Sequence, residues 1–347
     1  MGLVIVSSAV DSLYFSFKGE VDRSFYEYLR AVKFEAKESG EEVPFSIGEE
    51  ELLMKQHGAG GFLYYARGRN FIVKMSPSLK IPNFYFQALA ISLYANGHQK
   101  VFEMAKGLIK AINLDVDSKI SRIDLCVDIQ GWELEEKRLD DFARRANFSA
   151  VYRDGRNLNG IQFGRGDVVA RIYNKTKEVG VSNKDHMYAI WRENPLFDEE
   201  SVVWRVEFQF KRVILREFGI DSVEDAFGQL AGLWNYGVNE WLTLRTGNAS
   251  RVERRPIDND WQMLNDVEFE GKVNNRVRRT KALSSYERNI SMLAGYLSSQ
   301  GAVSGLDDLE TLMRHVYREV KIFYEDNETS FELEVDKKRA LMKDEHF

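Results

Sequence analysis

The chain alternates between short segments in which apolar and polar residues take turns and longer segments in which apolar residues recur at helical spacing. Strict alternation predicts half-buried β-strands, and recurrence every three or four residues predicts amphipathic helices. On this pattern we predict strands at 10–17, 51–55, 61–66, 70–75, 83–93, 120–129, 149–152, 160–163, 168–174 and 202–211. Helices are predicted at 23–36, 100–112 and 133–146, and the chain after residue 215 reads as mainly helical.

The order of these elements repeats once along the chain. The segment GFLYYARG at 61–68 resembles GIQFGRG at 160–166, and in both an Arg-Gly turn leads into a β-rich strand. Coincidence between two ordinary hairpins is the alternative explanation. We predict an α+β fold of two similar β-α-β-β-β units, with adjoining antiparallel sheets, helices on one face and a mainly helical C-terminal region. The predicted boundaries are 1–115, 116–220 and 221–347.

Three of the predicted strands carry charged side chains on their polar face. Because side chains alternate along a strand, spacing of two places a set of residues on one side of the sheet. The apolar residues between them would pack on helices. The polar sets are Arg122, Asp124, Cys126 and Asp128; Arg171, Tyr173 and Lys175; and Arg205, Glu207, Gln209 and Lys211.

The acids among these residues suggest a metal site. Asp124, Asp128 and Glu207 offer carboxylate oxygens, which Mg²⁺ and Mn²⁺ prefer. The alternative is that Asp124 and Glu207 form ion pairs with the arginines beside them on an exposed sheet.

Tyr173 lies between two cations, Arg171 and Lys175, which would favour its phenolate form. A tyrosine nucleophile beside a metal suggests phosphoryl transfer from a nucleic acid to the protein. Lys175 and Arg205 would stabilise the developing negative charge. The alternative is that Tyr173 is one of many tyrosines that only pack in a sheet.

Composition narrows the class of protein. The chain has 347 residues, 44% hydrophobic residues and one cysteine, which is typical of a globular protein from a reducing cytoplasm. It lacks a signal-peptide pattern and an apolar run long enough to span a bilayer, so a cytoplasmic location without membrane partners is expected. Its five histidines lack zinc-site spacing, and no phosphate-binding Gly-x-x-x-x-Gly-Lys-Ser/Thr loop occurs.

The net charge of −6 argues against general nucleic-acid binding, but local fields matter more than the average. The segment 272–288 holds six cations and one acid. We expect Arg276, Arg278 and Arg279 in this segment to contact DNA phosphates, together with Arg171 and Lys211 of the strands. A solvated helix face is the alternative explanation of the basic segment.

The polar strand sets resemble, in order and spacing, the motifs of the Rep_trans family. These proteins are replication initiation factors of rolling-circle plasmids, with related relaxases of conjugative elements and some phage initiators. The matching motifs are Arg122-Ile-Asp124…Asp128, Arg171-Ile-Tyr-Asn-Lys175 with Glu178, and Arg205-Val-Glu207…Lys211. Similarity to the start of such proteins at 10–17 and to their later segments at 241–245 and 254–261 extends the resemblance over residues 8–261.

The resemblance implies an origin-specific, metal-dependent DNA nickase. In that family a tyrosine, here Tyr173, takes the 5′ phosphate and leaves a 3′ hydroxyl for the host polymerase. The metal, Mg²⁺ or Mn²⁺, would be held by Asp124 and Glu207, with Asp128 and Asp11 as further candidates. The partners implied are single-stranded or hairpin origin DNA, with host helicase and polymerase as further candidates. The His-hydrophobic-His pair of other rolling-circle initiators is missing here.

Two other functions remain open from the sequence. A sheet with exposed aromatic residues also binds single-stranded nucleic acid without any chemistry. A structural interaction protein would use the same charges only as surface ion pairs, which individually stabilise little. Within the nickase hypothesis, Tyr188 is a rival nucleophile, although no cations alternate with it.

Overall fold

The computed structural model describes residues 3–132, 134–182, 184–271, 281–327 and 329–344. The chain separates into two compact units, Met1–Val277 and Arg278–Phe347. The division predicted at residues 115 and 220 stays a prediction.

The first unit is built around strands. They are β1 Val4–Phe17, β2 Val43–Ile47, β3 Glu50–Met54, β4 Tyr64–Gly68, β5 Phe71–Met75, β6 Phe84–Ala88, β7 Ser118–Gln130, β8 Phe142–Arg144, β9 Ser149–Asp154, β10 Asn157–Phe163, β11 Val168–Asn174, β12 Val203–Lys211 and β13 Leu242–Leu244.

The helices of this unit lie between and after the strands. They are α1 Arg23–Ser39, α2 Ala90–Asn96, α3 His98–Ala111, α4 Lys175–Ser182, α5 His186–Trp191, α6 Arg212–Glu217, α7 Val223–Phe227, α8 Leu230–Asn235 and α9 Asn259–Gln262. A π-helical turn, Tyr236–Trp241, follows α8, and short 3₁₀ turns lie at Glu136–Asp141, Val252–Arg254 and Met263–Asp266.

Eleven of these strands form one continuous antiparallel sheet in the order β2-β3-β4-β5-β6-β1-β7-β12-β11-β10-β9. The α+β fold with a large antiparallel sheet is therefore as predicted, and the two predicted sheets adjoin as one. The long central strands β1 and β7 join the halves through paired residues from Val4 opposite Gln130 to Phe17 opposite Ser118.

The order of strands supports the internal repeat. The two similar segments noted in the sequence contain β4 and the second half of β10. Counting outward from the centre, β4 is the third strand after β1, and β10 is the third after β7. The two segments therefore occupy equivalent places in the two halves of the sheet.

One face of the sheet forms the main hydrophobic core. Ile123, Leu125 and Val127 of β7 and Val206 and Phe208 of β12 are fully buried there. Burial of each such side chain contributes about 1.5–3 kcal/mol. The alternation that predicted these strands thus places their apolar residues in the core and leaves the intervening polar residues on the opposite face.

The opposite face carries a smaller apolar cluster near α4 and α5. It contains Val6 of β1, Val203 of β12, Val179 of α4, and Met187 and Trp191 of α5. These helices therefore cover one end of the polar face.

The helix predicted at 133–146 is wrong. Residues Glu136–Asp141 form a 3₁₀ turn, and Phe142–Arg144 form β8, which pairs with the distant strand β13. Phe142 packs in the core against Phe163 and Trp261. Tertiary pairing and burial of this aromatic residue outweigh the local helical pattern.

The second unit is helical, as predicted for this region. It contains α10 Lys281–Ser304, α11 Leu309–Asp326 and α12 Phe331–Asp344. The side chain of Asp308 caps α11 by accepting a hydrogen bond from the backbone N–H of Thr311 at 2.8 Å. Among the described helices of the chain, none is both long and apolar enough to cross a membrane.

Candidate functional site

The polar faces of β7, β12 and β11 meet on one side of the sheet. Glu207 of β12 lies opposite Cys126 of β7 and Arg171 of β11. Arg205 of β12 lies opposite Asp128 and Tyr173. The structure therefore brings together the residues that the alternation predicted to be neighbours, while the role of each stays a prediction.

Tyr173 donates a hydrogen bond from its hydroxyl to Oε2 of Glu207 at 3.1 Å. Burial, followed by the negative charge of Glu207, raises the pKa of Tyr173 well above its usual value of 10.0. The expectation that neighbouring cations favour the phenolate is therefore wrong. Tyr173 is a neutral phenol whose proton already points at a carboxylate.

Lys175 does not extend the strand that carries Tyr173, as the sequence pattern suggested. Strand β11 ends at Asn174 and helix α4 begins at Lys175. The ammonium of Lys175 pairs with Glu178 at 2.6 Å and lies 5.7 Å from the centre of the Tyr173 ring. Lys175 therefore stays beside the tyrosine, through the start of a helix.

Arg171 is a partly exposed cation at the site, with 30% of its side chain exposed. It donates to Oε1 of Glu207 at 2.8 Å and to the side-chain oxygen of Gln209 at 3.1 Å. Lys211 at the end of β12 is partly exposed and has no ion pair in the described part of the chain. Both cations face solvent from the same side of the sheet.

Arg205 and Asp128 form a buried ion pair beneath the site. Nε and Nη2 of Arg205 donate to the two oxygens of Asp128 at 2.6 and 2.8 Å. Trp191 and Ser7 donate to the same carboxylate at 2.8 and 2.9 Å. Because both side chains are fully buried, this geometry does not support Asp128 as a metal ligand or Arg205 as a group that contacts phosphate.

Asp11 joins this network because of an irregularity in β1. Val10 pairs with Leu125 and Ser12 with Asp124, so Asp11 is the extra residue of a β-bulge. Its carboxylate accepts hydrogen bonds from Nη1 of Arg205 at 2.6 Å and from the hydroxyl of Tyr94 at 3.1 Å.

Tyr94 is the member of this network that the sequence did not reveal. It lies on α2, and its hydroxyl is 3.2 Å from the sulfur of Cys126 as well as close to Asp11. Burial raises the pKa of Tyr94 well above its usual value. An isolated tyrosine on a short helix offers no sequence signal for such a place, because only the fold brings α2 to the polar face.

Asp124 is fully buried and paired with the guanidinium of Arg122, whose Nε donates at 2.7 Å. Burial raises the pKa of Asp124 to about 7, and the negative charges of Glu207 and Asp11 act in the same direction against Arg122. Two carboxylates that oppose each other's charge are suited to a divalent cation. Asp124 and Glu207 therefore fit a metal by their chemistry.

The present arrangement is nevertheless one of ion pairs. Within the described ranges, no group of three or more His, Cys, Asp or Glu side chains is placed to hold a metal ion. Arg122 and Arg171 occupy the carboxylates of Asp124 and Glu207. A metal at this site would therefore compete with both arginines.

The remaining predicted residues lie elsewhere. Tyr188 is on α5, where its ring packs edge-on against Trp191 with centroids 5.2 Å apart. Arg276, Arg278 and Arg279 lie outside the described residues.

Comparisons with known proteins give partial similarities. A solved rolling-circle replication initiator from Geobacillus stearothermophilus superposes with a TM-score of 0.47 at 15% identity, covering 79% of this chain and 100% of that one. The uncharacterised protein ORF430 of Pseudomonas phage Pf1 is 23% identical over 172 residues, 40% of each protein. UDP-N-acetylmuramoylalanine–D-glutamate ligase of Bacillus subtilis (strain 168) is 28% identical over 158 residues, 44% of this chain and 30% of the ligase.

No protein-family model matches the chain, so membership of the Rep_trans family stays a prediction. The matches to the phage protein and the ligase span two fifths or less of the length of those proteins.

Proposed function

We propose that this chain is a replication initiator that nicks and rejoins one strand of origin DNA through Tyr173. The observation that carries the proposal is the hydrogen bond from the Tyr173 hydroxyl to Glu207 on a sheet face that also presents Arg171. A nucleophile, an acceptor for its proton and a cation for a phosphate are thus adjacent. The order of motifs in the sequence supports the same reaction.

In the nicking step the Tyr173 oxygen attacks the scissile phosphorus while its proton passes to Glu207. A bond forms between the tyrosine oxygen and phosphorus, and the bond from phosphorus to the 3′ oxygen breaks. The 3′ oxygen takes up a proton from water and leaves as the 3′ hydroxyl that primes synthesis. Attack by a 3′ hydroxyl on the 5′-phosphotyrosine reverses these steps and rejoins the strand.

Two cations, Arg171 and Lys175, would assist this reaction. Arg171 is partly exposed and its guanidinium can turn from Glu207 to a phosphate as the tyrosine reacts. Lys175 lies beside the Tyr173 ring, where its charge would stabilise the phenolate that forms as Tyr173 loses its proton. We assign Arg205, Asp128 and Asp11 to positioning, since their buried ion pairs fix β12 against β1 and β7.

Asp124 and Glu207 would hold Mg²⁺ or Mn²⁺, which supplies a positive charge that polarises the phosphate. Metal binding is separable from catalysis. Isothermal titration calorimetry with Mn²⁺ should show binding to the wild-type chain and no binding to Asp124→Asn. An unchanged isotherm in that variant would exclude Asp124 as a ligand.

The test of the nickase uses a labelled single-stranded oligonucleotide carrying the origin sequence, with Mn²⁺, and denaturing gels. The wild-type chain should form a covalent adduct and Tyr173→Phe should not. Tyr188→Phe is the matched control and should react like the wild type. Adduct formation by Tyr173→Phe would refute the assignment, and DNA binding without any cleavage would favour a non-catalytic single-strand binding protein.

Origin recognition belongs to a different part of the chain in this proposal. Arg276, Arg278 and Arg279 would contact duplex or hairpin phosphates, so their reversal to Glu should weaken binding and flatten its salt dependence. Unchanged affinity and salt dependence in that triple variant would exclude this role. This measurement uses hairpin and duplex oligonucleotides that carry the origin sequence.

A further inference from the structure

The polar face of the sheet continues beyond the candidate site into the first half of the molecule. There, two rows of side chains cross strands β4, β5, β6, β1 and β7. The register defines the rows: Tyr65, Lys74, Tyr85, Ser16 and Lys119 in one, and Arg67, Ile72, Gln87, Tyr14 and Arg122 in the other. We call these ten positions the tyrosine–cation band.

The band has a composition unlike that of the chain as a whole. Its ten positions include three tyrosines, four cations and no acid, although the chain carries a net charge of −6. Lys74, Lys119 and Arg67 have no ion pair in the described part of the chain, and the fourth cation, Arg122, pairs with Asp124. The band is therefore a local basic surface on an acidic protein.

The tyrosines of the band are half-buried, and the ring of Tyr85 also packs against that of Phe62 with centroids 5.8 Å apart. The Tyr14 and Tyr85 rings are partly exposed and meet edge to face, with centroids 6.4 Å apart. The guanidinium of Arg122 lies 5.0 Å from the Tyr14 ring centre, and the ammonium of Lys74 lies 5.6 Å from that of Tyr85. Each cation lies over a ring face, so a base would stack on that face only when the cation turns to a phosphate.

The band is continuous with the candidate site. Arg122 belongs to the band and donates to Asp124, which lies opposite Gln209, two residues along β12 from Glu207. Five strands at roughly 4.8 Å spacing give a width of about 19 Å. That width suits a short single-strand site, for which about four nucleotides is the lower end.

We propose that the tyrosine–cation band binds the single-stranded DNA that passes through the candidate site, by stacking bases on Tyr14 and Tyr85 and pairing phosphates with Lys74 and Lys119. The inference rests on the proposed nicking function for the identity of the strand. Charge complementarity, the stacking rings and continuity with Asp124 select single-stranded DNA as the occupant. A duplex hides its base faces and would not use the rings.

The experiment measures binding of a fluorescein-labelled 12-residue oligothymidylate to the full chain by anisotropy, in EDTA and with Tyr173→Phe as background. These conditions remove the nicking reaction. Tyr85→Leu, which removes the ring but keeps apolar volume, should raise Kd between about fivefold and a hundredfold. Tyr85→Phe keeps the ring and should bind like its background.

The charged part of the band is tested by the salt dependence. Lys74→Glu with Lys119→Glu should reduce the slope of log affinity against log salt by about 0.7 for each lost cation. The controls are Tyr28→Leu and Lys110→Glu. Tyr28 is an exposed residue of α1, a helix that packs on the other face of the sheet, and Lys110 lies on the exposed side of α3. Both controls should leave affinity and slope unchanged.

Equal affinity for Tyr85→Leu and its background would overturn the inference, as would equal binding of a 12-base-pair duplex. Far-ultraviolet circular dichroism melts establish that each variant is folded. Variants that bind less tightly while the wild-type chain forms no adduct would support the band and reject the nickase. If the wild-type chain nicks DNA and the band variants bind as tightly as their background, the nickase is supported and the band is rejected.

Discussion

Asp124 gives the sharpest prediction about stability. Its pKa is raised from 3.8 to about 7 in the folded chain, chiefly by burial. A change of that size corresponds to about 4 kcal/mol between the two protonation states. At pH values between these two pKa values, the unfolded chain has released the Asp124 proton while the folded chain keeps it. Asp124 therefore stabilises the fold fully below pH 4, and this stabilisation is lost as pH rises through about 7.

Asp124→Asn removes this dependence. Relative to the wild type, the free energy of unfolding of Asp124→Asn should therefore rise with pH between 4 and 8, by up to about 4 kcal/mol. Urea unfolding monitored by tryptophan fluorescence measures this difference at each pH. Asp128→Asn is the contrasting variant, because Arg205 and its other partners hold the pKa of Asp128 below the usual value. The carboxylate of Asp128 in the wild type therefore loses its stabilising contribution as pH falls, and the stability difference between the wild type and Asp128→Asn should shrink. A pH-independent difference for Asp124→Asn would refute the reasoning.

Three further predictions concern the site and its support. Asp128→Ala removes one of the two carboxylates that pair with Arg205 in the interior, the other being that of Asp11, and should cost about 3–5 kcal/mol in urea unfolding. Asp154→Ala at an exposed ion pair should cost far less, and equal costs would contradict the buried network. Gly160→Ala would put a methyl group 2.8 Å from Cβ of Tyr173 and should slow nicking by up to about 100-fold, while Gly166→Ala, which meets open space, should not. Glu207→Gln should slow adduct formation by about 10²–10⁴ and move the pH dependence of the rate, and an unchanged rate would exclude it as the proton acceptor.

The period-two pattern was sufficient to predict which residues share the polar face. Asp124, Glu207 and Arg171 lie together because β7, β12 and β11 are regular and adjacent, and regular strands keep the alternation. The same rule gave no account of how these groups pair. Pairing depends on burial, which the sequence does not specify. Asp128 and Arg205 are both fully buried, so they pair with each other and are not accessible to a metal or a phosphate.

Irregular backbone and tertiary packing account for the features that the period-two pattern did not predict. The bulge at Asp11 changes the parity of β1, so counting along the sequence misplaces one of its segments. The turn from strand to helix at Lys175 ends the alternation one residue after Asn174. Phe142 shows a tertiary effect, since its burial and the pairing with β13 replace the helix that local spacing predicts.

The most direct test of the central claim is the chemical identity of the residue linked to DNA. The wild-type chain would be incubated with a 5′-extended origin oligonucleotide and Mn²⁺, digested with protease and nuclease, and analysed by peptide mass spectrometry. We predict a nucleotide attached through its 5′ phosphate to Tyr173. Attachment to Tyr188, or to any other residue, would contradict it.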